Sequence, residues 1–228
     1  MIADKKEFYG GLGLLIGFAV VLIVIFSPVF KGQNGLKYLD ELYNSISKGS
    51  AYYIPKVKKD IDKLAGTSFN ATISMANDGQ ARQTTTLLMK GDALVNVSGT
   101  RLKIEGDLAK ILSSCLADTD SMYKNDGQTV AAKYGYNERQ ALYNWWQALR
   151  ELNKDLTKQK QFKAANVVDM VLTKAVETSY NYYRIEPQKI SDRAFIVFFS
   201  LIFYVIYTLW YGFAIMFMFE GWGLKLEH

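Results

Sequence analysis

Histidine and cysteine are nearly absent from the 228 residues: the one histidine is His228 and the one cysteine is Cys115. Without them the chain cannot assemble a Ser-His-Asp triad, a Cys-His dyad, a haem ligand pair or a zinc site of ordinary composition. A single cysteine also rules out an intramolecular disulfide. No Walker A sequence is present, and no G-x-G-x-x-G follows a strand-like run. Gly10, Gly11, Gly13 and Gly17 fall inside an apolar run, where no phosphate would be held. There is no internal repeat.

Charge is missing from two long stretches, Phe8 to Phe30 and Ala194 to Phe219. At 1.5 Å per residue these reach about 34 and 39 Å, enough to cross a hydrocarbon core of about 30 Å. Both read as transmembrane helices, 8–30 and 194–219. Lys5 and Lys6 precede the first as the n-region of a signal peptide would. Its apolar core is nonetheless long for an h-region, and it runs into FSPVFKG with no A-x-A-like cleavage site, so it reads as a retained anchor. Leu226, Glu227 and His228 resemble a vector remnant and are assigned no role.

The segment 31–193 between the runs is long enough for one soluble domain. It carries 24 of the 27 Lys and Arg and 18 of the 22 Asp and Glu, a net +6. Sidedness is open. Lys31, Lys37, Arg184, Lys189 and Arg193 outnumber Lys5, Lys6 and Lys225, which favours a cytoplasmic domain, but long loops translocate largely regardless of charge. The short tail with paired lysines favours the domain outside. The expected location is a bacterial inner membrane with the domain in the periplasm or outside.

Within the domain, Leu36, Leu39, Leu42 or Tyr43, and Ile46 recur at helical spacing, and a second short helix follows Pro55. From Phe69 the period becomes two, ending at Asn77-Asp78-Gly79, a turn signal. Thr84–Met89, Leu94–Ser98 and Arg101–Glu105 continue as β-type runs, so about four strands form an antiparallel meander. Asp107 caps a helix through Leu116, and Ala117–Gln128 reads as a polar surface loop. Asn137-Glu138 opens a long helix, and a further helix runs through Val167, Val168, Val171 and Val176 toward Tyr183. The expected fold is α+β: a small antiparallel β-meander packed by a helical hairpin, flanked by an N-terminal and a C-terminal transmembrane helix.

Candidate chemistry is sparse. Asp118, Asp120 and Asp126 could offer oxygen ligands to a hard cation, but Met122 stands where an EF-hand needs a ligand, so no metal or cofactor is expected. Lys56, Lys58, Lys59 and Lys63, with Lys154, Lys158, Lys160 and Lys163, form basic clusters that read as solvated helix faces or as contacts for anionic headgroups. Nucleic acid is not an expected partner. Tyr143, Trp145 and Trp146 cannot all share one helix face, so at least one points away from the core as a partner contact.

The second span has a polar stripe: Ser200, Tyr204, Tyr207, Thr208 and Tyr211 fall within an arc of about 100°. Tyr207, near the middle, can reach neither the interface nor its own backbone easily. The first span carries a small-residue face of Gly10, Gly13 and Gly17 that would let another helix approach. Together they suit packing of the two spans on each other or lateral assembly with copies or other integral membrane proteins. No charged group lies in either span to serve as an ion path. The layout is similar to that of bacterial membrane sensors, with a tail too short for a signalling domain. The expected role is non-catalytic: an accessory or scaffold subunit of a membrane complex. The alternative is an extracytoplasmic ligand-binding or sensory module that signals through a partner.

Overall fold

A computed structural model describes residues 2–30 and 32–224. Lys31, Lys225 and the three terminal residues Leu226, Glu227 and His228 lie outside the described residues. The chain divides into two compact units, Met1–Gly49 with Pro187–His228, and Ser50–Glu186. Helix 35–50 thus groups with the terminal helices rather than with the central fold.

In the first unit, α1 (Lys5–Phe26) begins where the Asp4 side chain accepts from the backbone N–H groups of Lys6 and Glu7. It stops earlier than the apolar run because Ser27 precedes Pro28 and is extended (φ −79°, ψ 151°). α2 (Gly35–Ser50) is amphipathic, with Leu42 buried and Leu36 exposed. α10 (Ile190–Trp222) has 33 residues and therefore spans about 50 Å.

α1 and α10 are long and apolar enough to cross a membrane, and they pack antiparallel on each other. Gly221 O accepts hydrogen bonds from the N–H groups of Ala3 and Asp4, which joins the start of α1 to the end of α10.

The second unit is mostly helical and contains α3 (Ile54–Asp62), β1 (Ser68–Ser74), α4 (Asp78–Lys90), β2 (Leu94–Ser98), β3 (Arg101–Asp107), α5 (Leu108–Tyr123), α6 (Gly127–Tyr134), α7 (Glu138–Lys158) and α8 (Phe162–Val171). A π-helical turn (Leu172–Val176) then leads into α9 (Glu177–Tyr182). The sheet is antiparallel with order β1-β3-β2; α7 and α8 pack together as a helical hairpin, of which α7 lies against β1, while α4 and α5 also pack on the sheet.

Two local expectations are corrected. Thr84–Met89 is not a strand: it lies in α4, so the sheet has three strands and β1 reaches β2 through a helix. Asn77 does reverse the chain, but as an N-cap accepting from Gln80 N (2.9 Å). Ala81, Thr84, Leu87 and Leu88 then recur at helical spacing and are all buried. Ala117–Gln128 is likewise not a loop up to Tyr123, because Leu116, Thr119, Met122 and Tyr123 continue the buried face of α5. Asp107 caps α5 as read from sequence, accepting from Ala109 N at 2.8 Å.

Candidate functional site

The central unit presents an aromatic cleft of about 340 Å³ lined by Leu142, Tyr143, Trp146, Val176, Glu177, Tyr180 and Asn181. Leu142 and Val176 are buried and make its floor, since both belong to the apolar faces that hold α7 against the helix following α8. Tyr143 and Trp146, three residues apart on α7, stack with ring centroids 6.0 Å apart and an interplanar angle of 21°. Across the cleft, Trp146 Nε1 donates to Glu177 Oε1 at 2.9 Å. Arg150 lies 5.2 Å from the Trp146 ring and Arg139 5.7 Å from the Tyr180 ring, both within cation–π range.

The π-helical turn sets which residues face the cleft. One extra residue in the turn re-aims everything after it, and such insertions are frequent at functional sites. The turn leaves Thr178 Oγ1 donating to the carbonyl five residues back, Thr173 O (3.3 Å), and places Glu177 and Tyr180 toward α7.

Tyr143 also lines a second hollow of about 480 Å³ with Ala76, Asn77, Gly79, Gln80, Gln83 and Gln140. Its back wall is an amide network around fully buried Asn144, whose Oδ1 accepts from Gln80 (3.2 Å) and Gln140 (2.9 Å) while Nδ2 donates to Gln83 Oε1 (3.0 Å). The network supplies most of its own hydrogen bonds, so the surface available to a partner is chiefly aromatic.

Of the three aromatic residues singled out from sequence, Tyr143 is 41% exposed, Trp146 is half-buried and Trp145 is fully buried. Trp145 therefore belongs to the core and offers no contact to a partner. Its indole donates to Asp118 Oδ2 at 2.8 Å. The same carboxylate accepts from the Tyr134 hydroxyl, and its Oδ1 accepts from Lys133 Nζ at 2.7 Å.

Burial and the nearby Asp118 charge push the Tyr134 hydroxyl well above the ordinary tyrosine range, and burial does the same for the Cys115 thiol. The three carboxylates grouped by sequence thus have separate tasks. Asp118 anchors this buried cluster, Asp120 accepts from Tyr52 (2.8 Å) and pairs with Lys124 (2.7 Å), and Asp126 caps α6.

The chain matches no family model, no curated protein and no solved structure.

The small-residue face of the first unit is split. A Cβ on Gly17 would stand 3.1 Å from the Trp210 ring, whereas Gly10 and Gly13 have nothing within 4 Å. The closest helix approach uses residues not singled out from sequence: a Cβ on Gly11 would meet Met218 N at 2.7 Å, and one on Gly221 would meet Phe8 N at 2.4 Å. Trp210 Nε1 donates to Leu14 O at 3.0 Å.

The hydroxyl stripe also divides. Ser200 donates to Val197 O (2.8 Å) and shares a 2.7 Å hydrogen bond with Tyr43 OH, while Thr208 bonds back to Tyr204 O (2.8 Å). Tyr207 stacks on Phe18 at 4.7 Å and Tyr211 tilts against the same ring at 5.1 Å. Tyr204 stays 66% exposed. Sequence reasoning found the α7 aromatics but missed Glu177, which lies far along the chain and reaches Trp146 only through the helical hairpin.

Proposed function

We propose that this chain is a two-span integral membrane protein acting, without catalysis, as an accessory or scaffold subunit of a membrane complex. The observation that carries the reading is the apolar surface left on the terminal helices after they have packed together. Phe195 is 81% exposed, and Phe198, Phe199, Leu201, Ile202, Val205, Ile206 and Leu209 are exposed along the same helix. Monomeric soluble proteins rarely leave contiguous apolar patches larger than a few hundred Å² open to water, so lipid or neighbouring apolar helices are the natural cover.

The central unit would then dock on its partner through the cleft, with Tyr143 and Trp146 as the anchor and Glu177 as the polar contact; exposed aromatic side chains are the commonest carriers of interface energy. The lysine clusters of α3 and of the end of α7 would meet anionic headgroups. The proposed placement is a bacterial inner membrane with the central unit outside.

A second reading is favoured by one observation. The cleft volume falls at the small end of the roughly 300–1,000 Å³ typical of ligand pockets. An extracytoplasmic ligand-binding module that signals through a partner would use the same residues.

The membrane assignment is tested by alkaline extraction of membranes and by protease treatment of oriented vesicles. Retention in the pellet with a protected central fragment supports both span and sidedness. Release into the supernatant contradicts the spans, and cleavage of the central unit from the cytoplasmic face contradicts the sidedness.

A further inference from the structure

The two edges of the sheet are treated differently. At β1, Thr72 N donates to Asp155 Oδ2 (3.2 Å) and Asn70 O accepts from Gln159 Nε2 (2.8 Å), so side chains of α7 and of its C-cap occupy two of the outward backbone groups. β2 is open. The Gly99-Thr100 turn, with Gly99 at φ 58°, closes a two-residue hairpin on the pair Ser98 and Arg101. Alternation from that pair turns Asn96 and Leu94 toward β3, and turns the N–H and C=O groups of Val95 and Val97 outward. The same alternation carried across β3 turns Thr72 and Asn70 outward on β1, as their bonds to α7 require. Among the described residues no hydrogen bond reaches the outward groups of Val95 and Val97, and Leu94 is 74% and Val97 43% exposed.

Unpaired edges are ordinarily guarded by lysine, proline, a bulge or a covering element. The five residues of β2, LVNVS, contain no charge and no proline. We propose that β2 pairs antiparallel with β2 of a second copy of this chain, joining two three-stranded sheets into one of six strands.

The strand dictates the register. Setting Val95 against Val97 of the second copy, with Asn96 on the two-fold axis, uses both outward residues of each copy in hydrogen-bonded pairs. A shift toward the N-terminus meets Ala93, whose N–H already bonds Leu88 O at 3.1 Å, and a shift the other way runs into the turn at Gly99. No like charges oppose each other across the new pair. The charged residues of β3, Arg101, Lys103 and Glu105, would stand three strand spacings from their counterparts, about 14 Å, beyond the screening length of about 8 Å in physiological salt. The contact rests on the sheet alone and not on the membrane-subunit reading.

Cysteine trapping of the full chain in detergent micelles tests it. In this register Asn96 faces Asn96 of the second copy as a non-hydrogen-bonded pair with Cα atoms about 4.5 Å apart, within disulfide reach. The Leu94 positions, likewise exposed, would be about 14 Å apart along the strands. Mild oxidation should convert Asn96→Cys to a disulfide-linked dimer on the order of ten-fold faster than Leu94→Cys or Asn70→Cys. Adding Val95→Pro, which removes an outward N–H and no hydrogen bond to β3, should abolish the Asn96→Cys dimer. If that double variant fails to fold, Val97→Lys, which leaves the pairing with β3 intact, should do the same. Equal rates at positions 94 and 96, or no dimer from Asn96→Cys, would overturn the proposal.

Discussion

The Trp145 indole nitrogen lies 2.8 Å from Asp118 Oδ2, tying the centre of α7 to the C-terminal half of α5 through a buried carboxylate. With Tyr134 and Lys133 as further donors, Asp118 accepts three hydrogen bonds inside the fold, two on Oδ2 and one on Oδ1. Asp118→Ala would leave three donors facing an empty site. A loss of about 3–5 kcal/mol is expected, from denaturant unfolding of the full chain in detergent followed by tryptophan fluorescence. A loss below about 1 kcal/mol would show that the cluster is dispensable.

Tyr134 gives this cluster a pH signature. Its folded-state pKa is raised by burial and by Asp118, so the folded chain holds the proton that the unfolded chain releases near the ordinary tyrosine value of about 10. The contribution is fully present below that pH and is lost as pH rises above it. Tyr134→Phe should cost about 1–3 kcal/mol at neutral pH by removing a donor to Asp118, and should flatten the alkaline decline relative to the parent chain. Parallel alkaline curves would contradict the assignment.

Gly221 and Gly10 should respond oppositely to alanine. At Gly221 the added Cβ would strike the Phe8 backbone, and overpacking of about 1–3 kcal/mol is expected; at Gly10 it meets nothing. Thermal unfolding of the full chain in micelles reads the difference. Equal destabilisation by the two variants would mean that α1 and α10 do not pack as described.

Tyr207 acts through its ring. It stacks on Phe18, and among the described residues no hydrogen bond reaches its hydroxyl. Tyr207→Phe should change stability by less than about 0.5 kcal/mol, whereas Tyr207→Ala should cost about 0.5–1.5 kcal/mol beyond its lost area. The same melting assay distinguishes the two, and a large effect of Tyr207→Phe would restore the hydroxyl to importance.

What the sequence discloses follows the range of each signal. Caps are local, so Asp107 and Asn137 were legible, as were the uncharged runs of α1 and α10. Thr84–Met89 misled because its threonines favour strand while the wider spacing of Ala81, Thr84, Leu87 and Leu88 favours helix, and burial of that face decided for helix. Trp145 and Trp146 are adjacent, and only the fold shows that the first meets Asp118 and the second Glu177. The π-helical turn left no mark in the apolar periodicity of α8, and it is this turn that aims Glu177.

The most direct test of the proposed role is to quantify what copurifies with the chain, expressed at native level and extracted in mild detergent, for the parent and for Tyr143→Ala/Trp146→Ala. A distinct membrane protein in fixed stoichiometry, lost or reduced at least ten-fold in the double variant, is the expected result. Recovery of the parent chain alone, or only with copies of itself, would contradict a role as subunit of a larger complex.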